Sequence, residues 1–197
     1  MRSILHLYTQ WLLKKTFHGF SFDDIRVDPN KSVLLVANHF SFWDALILYK
    51  VNRLLFKKKF HVMVREDTTL HLRSLKYGGA FSVNKNSRDM LKSLEYAAQL
   101  LDHPGNLVLM FPQGKLYSNF VNKIHFEKGI TKIMEQAEGK FQLVLAATFI
   151  QYMRNKKPDI RVYLRGGEQK MGTLDELRAD YQQFFDAAKL KETEIVI

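Results

Sequence analysis

The sequence predicts an α/β fold, a single-domain layered sheet flanked by helices. Short apolar runs such as Val33–Val36, Leu107–Phe111 and Leu143–Phe149, bounded by turn signals, have the length of buried strands. Between them lie longer segments with apolar residues at helical spacing, and strands alternating with helices build a sheet covered by helices. With 197 residues, 46% hydrophobic and 25% charged, the chain has the size and composition of one domain with a substantial core. No internal repeat or low-complexity linker divides it. The expected organisation is an N-terminal amphipathic segment over residues 1–22 and a domain over 23–197.

In the first segment Ile4, Leu5, Tyr8, Trp11 and Leu12 recur at helical spacing, with Thr9, Gln10 and Lys14 off that face. Lys14 and Lys15 lead into Phe17, Phe20 and Phe22, and Trp, Phe and Lys together suit a helix lying among lipid headgroups. Packing against the domain is the other reading. Asp28-Pro29-Asn30-Lys31 is a turn that opens the first strand. Asp44–Lys57 reads as a helix closed by Lys57-Lys58-Lys59, Phe60–Val64 as a strand, and Leu70–Leu75 as helical up to Gly78-Gly79. Ala80–Val83 is a short strand before a helix over Arg88–Leu101, whose buried face is read as Leu91, Leu94, Ala98 and Leu101. His103-Pro104-Gly105 ends that helix. Leu107–Phe111 is a strand, residues 116–127 a loop and Lys128–Ala137 a helix. Leu143–Phe149 and Ile160–Leu164 are the last strands, with a basic turn between them. Thr173 and Glu176 make a capping box for a closing helix over Leu174–Leu190.

A formal charge of +10 favours nucleic acid, anionic lipid or an acidic protein as partner. The basic residues are spread along the chain without interleaved aromatic positions, so nucleic acid is not expected. The absence of cysteine excludes disulfides, cysteine nucleophiles and thiolate metal sites, and fits a reducing compartment. His61, His71, His103 and His125 have no metal-ligand spacing, and no metal site is expected. No apolar run approaches the roughly 18 residues of a membrane span, and the N-terminus lacks a signal peptide's cleavage site. The expected location is cytoplasmic, peripheral on the inner face of the cell membrane.

The stretch Val33–Asp44, V-L-L-V-A-N-H-F-S-F-W-D, delivers Asn38 and His39 at the mouth of a buried strand and Asp44 five residues later. A histidine serves as a base when one ring nitrogen faces a hydroxyl and the other donates to an acid. A five-residue offset on a regular helix separates two side chains in azimuth, so the pair meets only if the chain turns between them. A strand-end histidine followed by a helix-capping aspartate is the alternative. Gly79–Lys85, Phe111–Gly114 and Phe126–Gly129 also place polar groups just past a strand, where open α/β sheets bind ligands.

Taken together these stretches resemble the glycerolipid acyltransferase family of the lysophosphatidic acid type, whose signatures they meet in order over about Val33–Phe149. N-H-x-x-x-x-D is met by Asn38, His39 and Asp44. The second signature is met by Gly79, Phe81 and Asn84, with Lys85 where arginine is usual. F-P-E-G-T-R is met by Phe111, Pro112 and Gly114, with Gln113, Lys115 and Leu116 in place of Glu, Thr and Arg. A lysine-glycine follows at Lys128 and Gly129, and the usual Val-Pro-Val strand end is Ala146-Ala147-Thr148.

The resemblance implies a glycerol-3-phosphate acyltransferase-like fold and a 1-acylglycerol-3-phosphate O-acyltransferase-like activity, without metal or cofactor. His39 is then the base, Asp44 its orienting acid, and Asn38, Gly79, Phe81, Asn84, Lys85, Phe111, Pro112, Gln113, Gly114 and Lys128 the substrate-binding set. Ser41 is read as capping or packing, Lys115 as a solvated surface lysine, and Gln113 as a hold on a neutral hydroxyl. The donor is acyl-CoA or acyl carrier protein. The departures around Gln113 leave the acceptor open among a lyso-phospholipid, a lyso-aminolipid and a pigment or polyene hydroxyl. A member that keeps the fold as a lipid-binding or scaffold protein is the competing reading.

Overall fold

Strand β2, Ser32–Ala37, is the centre of the protein: every one of its residues is buried, and in the seven-stranded sheet of order β1-β7-β6-β2-β5-β3-β4 it has three strands on each side. The computed structural model describes residues 2–65, 80–83, 87–167 and 172–196. Helix α1 (Arg2–Thr16) and strand β1 (Phe20–Phe22) precede β2. After it come α2 (Asp44–Val51), continued by a π-helical turn over Asn52–Phe56, then β3 (Lys59–Arg65) and β4 (Ala80–Val83). The chain goes on through α3 (Ser87–Leu101), β5 (Asn106–Met110), α4 (Gly129–Gln136), β6 (Phe141–Gln151), β7 (Asp159–Gly167) and α5 (Leu174–Thr193).

Five strands, β6, β2, β5, β3 and β4, run parallel, which is why β2 and β5 read as uninterrupted apolar runs: both of their faces are covered. β7 returns antiparallel to β6, and β1 lies parallel to β7. On one face Val33, Leu35 and Ala37 pack with α1 and α2 through Leu13, Phe17, Ile47, Leu48 and Val51. On the other Leu34 and Val36 pack with α3, α4 and α5 through Leu94, Ala98, Ile130, Ile133 and Phe185. The alternation of β2 side chains between two cores is the period of two that any strand imposes. At the end of α5, Glu192 is buried beside Gln151, Arg161 and Tyr163, all of which donate to its carboxylate.

The structure differs from the sequence reading in three places. Residues 1–22 are not one amphipathic helix: α1 stops at Thr16, and Phe20–Phe22 forms β1, with Phe20 opposite Ile160. Three residues are too few for a periodicity to register. Within α1 the buried side is Thr9 and Leu13, followed by Phe17, while Leu7, Tyr8 and Trp11 are more than half exposed. Apolar residues lie on both sides of this helix, so spacing alone does not say which side the domain takes. In α3, Leu91 is 41% exposed and Ala97 is buried beside Leu94, Ala98 and Leu101. The helical pattern read at Leu70–Leu75, with Gly78-Gly79, lies outside the described residues. The capping box is present in both directions, Thr173 accepting from the Glu176 N–H and Glu176 from the Thr173 N–H.

Leu13, 2% exposed, fastens α1 to the sheet. Leu13→Ala is expected to cost about 2–5 kcal/mol in denaturant unfolding. Trp11→Ser, on the exposed side of the same helix, is expected to stay within about 0.5 kcal/mol.

Candidate active site

β2 and β5 are neighbours whose chains depart in opposite directions. From β2 the chain runs through α2, on one face, to β3. From β5 it runs through α4, on the other face, to β6 on the far side of β2. Such a switch point opens a crevice at the carboxyl ends of the strands. His39 stands there at the end of β2, and Phe111 at the end of β5.

The turn the sequence requires between His39 and Asp44 is present, and Asp44 builds it. Its carboxylate is fully buried and accepts four hydrogen bonds. His39 Nδ1 lies 2.8 Å from Oδ2, the N–H groups of Phe40 and Ser41 donate to Oδ2 at 2.7 and 2.9 Å, and the Ser41 hydroxyl donates to Oδ1 at 2.7 Å. Because every other partner of this carboxylate is an N–H or O–H donor, it also accepts from Nδ1–H, which in a neutral ring leaves the lone pair on Nε2. Ser41 is therefore a brace on Asp44 rather than a side-chain cap of α2, which has none. Its oxygen in turn accepts from the Trp43 N–H at 3.2 Å.

The imidazole is held from a second side by Phe111, whose ring stacks on it at 4.1 Å between centroids and 14° between planes. The backbone of His39 is fixed as well. Its N–H donates to Gln113 Oε1 at 2.7 Å, and its carbonyl accepts from the Tyr117 N–H at 3.0 Å. Gln113 is only 2% exposed, so the oxygen read as a hold for an acceptor hydroxyl is engaged on the histidine backbone. Asn38 is engaged in the same way. Its carboxamide donates to the Thr148 carbonyl at 3.0 Å and accepts from the Thr148 N–H at 2.8 Å, clamping the end of β2 to β6.

Beneath this clamp sits Tyr181 of α5, which the sequence reading missed. Its buried hydroxyl donates to the Ala146 carbonyl at 2.7 Å. Burial pushes this phenol well above its ordinary range; a hydrogen bond from the Asn38 backbone pulls the other way, and the Asp44 charge adds to the rise. The signal in the sequence was a tyrosine inside the stripe Leu177, Phe184, Phe185 and Ala188, where a buried hydroxyl must find a polar partner.

Pro112 is buried and Gly114 adopts a left-handed φ of +66°; a Cβ there would come 3.1 Å from Glu127 Cγ. The Gly114 N–H closes a turn on the Phe111 carbonyl at 3.2 Å, and the Glu127 N–H bonds the Pro112 carbonyl at 2.7 Å, bringing the third and fourth stretches together. Lys128 is exposed at the start of α4. Phe81 lies on edge strand β4, with β3 and β5 between it and β2, and packs edge-on against Tyr96 at 5.3 Å. Gly79, Asn84 and Lys85 lie outside the described residues. Beside a concavity of about 610 Å3 between residues 122–126 and α5, two lining side chains hold that loop: Arg178 bonds the Phe126 carbonyl, and Gln182 bonds the Ile124 N–H and the Asn122 carbonyl.

An α/β domain with a mostly parallel sheet and an oriented histidine at its switch point has the layout of an enzyme. A family model described as Acyltransferase matches residues 21–167, about three-quarters of the chain, from within β1 to the end of β7. The chain belongs to the Acyltransferase family, and its domain is that of an acyltransferase. No curated protein matches the chain.

Gln113→Ala leaves the partly buried His39 N–H without its acceptor. The variant is expected to lose about 1–3 kcal/mol in denaturant unfolding.

Proposed function

We propose that the protein is a membrane-peripheral O-acyltransferase that moves a fatty acyl group from a thioester, on coenzyme A or an acyl carrier protein, to a hydroxyl of a lysolipid-like acceptor. The observation that carries this reading is the His39–Asp44 pair. Its 2.8 Å bond holds the Nδ1 side of the ring, and Phe111 fixes the ring plane.

His39 Nε2 takes the acceptor's hydroxyl proton as that oxygen attacks the thioester carbonyl. A C–O bond forms, and negative charge gathers on the carbonyl oxygen. Asp44 stabilises the imidazolium formed in this step. Collapse of the tetrahedral intermediate breaks the C–S bond, and the leaving thiolate recovers the proton from Nε2. The acceptor is itself the nucleophile, so no acyl-enzyme is required. The Gly114 N–H is already used on Phe111, so that group is not assigned to the oxyanion. The acceptor class rests on the resemblance. Gln113 is buried and holds the His39 N–H, so the departures around it leave the acceptor open.

Among the described residues no helix is long and apolar enough to cross a membrane. The exposed side of α1, with Leu7, Tyr8 and Trp11 and the solvent-facing Lys14 and Lys15, supports contact with an anionic membrane from one side. Lys15 Nζ sits 4.9 Å above the Trp11 ring.

His39→Ala is expected to lower acyl transfer by on the order of 10²–10⁴-fold in a protein that still folds, its melting temperature lowered by the lost bond to the buried Asp44 carboxylate; wild-type turnover by the purified variant overturns the mechanism. Lipid extracts of cells lacking the protein are expected to accumulate one hydroxylated acceptor and lose its acylated product, which identifies the substrate. Removing residues 1–22 would also remove Leu13, Phe17 and β1, so the α1 contact is tested by replacing Leu7, Tyr8 and Trp11 with serine. This variant is expected to sediment less with anionic vesicles.

A further inference from the structure

We propose a second membrane contact, distinct from α1: a rim of three loops around His39 that seats the mouth of the site on an anionic bilayer. It rests on the reading of the protein as membrane-peripheral and goes beyond it by assigning the surface and the orientation.

The topology puts the three loops at one edge. β2, β5 and β6 are parallel, so residues 38–43, 111–128 and the 152–158 hairpin tip all emerge where His39 stands. Ala37, the last residue of β2, pairs with Ala146, and β6 runs on to Gln151. At about 3.3 Å per residue, the hairpin tip rises on the order of 16 Å beyond the end of β2.

Each loop carries a large apolar side chain turned out to solvent. Phe42 is 55% exposed, Leu116 56%, Phe120 82% and Tyr152 75%. The middle loop is anchored so that Phe120 is presented rather than folded back: the Tyr117 N–H bonds the His39 carbonyl, and Lys189 of α5 bonds the Val121 carbonyl at 3.1 Å.

The charge is as one-sided as the apolar exposure. Residues 38–43, 111–128 and 152–158 together hold six cations, Lys115, Lys123, Lys128, Arg154, Lys156 and Lys157, against one acid, Glu127, a net of +5. That is half of the chain's net charge of +10. The opposite edge of the sheet instead mixes Asp28, Asp102 and Glu138 with its lysines, and Lys140 pairs with Asp102 at 2.9 Å.

Apolar tips on three loops, two of which also carry cations, match a headgroup layer over an acyl region. The rim is also continuous with the end of α1. Phe17, just past that helix, meets Trp43 edge-on at 5.1 Å, and Trp43 meets Phe42 at 5.6 Å. One bilayer surface thus reaches both the α1 end and the rim.

The test is co-sedimentation with vesicles of phosphatidylcholine alone and of phosphatidylcholine with phosphatidylglycerol, a readout that needs no turnover. One variant carries Arg154→Ala, Lys156→Ala and Lys157→Ala; a second carries Phe120→Ser and Tyr152→Ser. All five residues are exposed, and melting temperatures verify folding. The first variant is expected to lose on the order of 100-fold in binding to the anionic vesicles, and added salt is expected to erase the difference from wild type. The second is expected to bind both kinds of vesicle more weakly. Wild-type binding by both variants, with loss only in the Leu7/Tyr8/Trp11 variant, overturns the proposal and leaves α1 as the contact. Weakened binding to a purified acidic acyl carrier protein, with vesicle binding unchanged, also overturns it and gives the rim a protein partner. A loss of vesicle binding supports it even where acyl transfer to the tested acceptor is absent.

Discussion

The buried carboxylate of Asp44 is the constraint around which the rest of the site is arranged. An ionised carboxylate out of water is costly unless it is hydrogen-bonded, and here His39, Phe40 and Ser41 supply the donors. Hydrogen bonds to a charged group contribute about 1.5–3 kcal/mol each, which is the scale needed to offset that desolvation. Satisfying the carboxylate bends the chain after β2 into a turn, starts α2 and aims the imidazole in a single act. The spacing of five residues between His39 and Asp44 is thus a property of the turn, and the imidazole is oriented by the same contacts that let the carboxylate be buried.

A second set of contacts fixes that turn to the sheet. Asn38 bonds β6, Gln113 and Tyr117 hold the backbone of His39 from the loop after β5, and Tyr181 braces the β2–β6 junction from below. Gln113 ties the family's altered third signature to its intact first one. A carboxamide at this buried position accepts the His39 N–H without bringing a second negative charge near Asp44, so the departure from glutamate changes the electrostatics of the site while keeping its geometry.

The strands and the His–Asp pair were legible because burial on both faces writes an apolar run, and because a motif at a strand end has few meanings. What was not legible depends on tertiary choice. Leu13 and Trp11 are both apolar and lie on one helix, and only the neighbouring α2 decides that Leu13 goes in. Gln113 and Asn38 have the residue types of ligand-binding groups, and nothing local says that backbone amides take them first. Phe81 matches its signature by type, yet the strand order sets it at the edge of the sheet. Tyr181 lies far along the chain from the residues it supports, and its role follows from the packing of α5 alone.

The pairing of β1 with β7 has a consequence for how the protein comes into being on the ribosome. Phe20 has to wait for Ile160, and at about 5–20 residues per second that wait is on the order of 10 s. Until β6 has been synthesised, β2 also lacks a neighbour along one edge, and the face that packs on α3, α4 and α5 stays incompletely covered until the end of the chain is made. Contacts so distant in sequence slow folding. The nascent chain is therefore exposed to chaperones and to unwanted association for longer than one with neighbouring strands paired in order, and the site around His39 is complete only once the last helix has emerged.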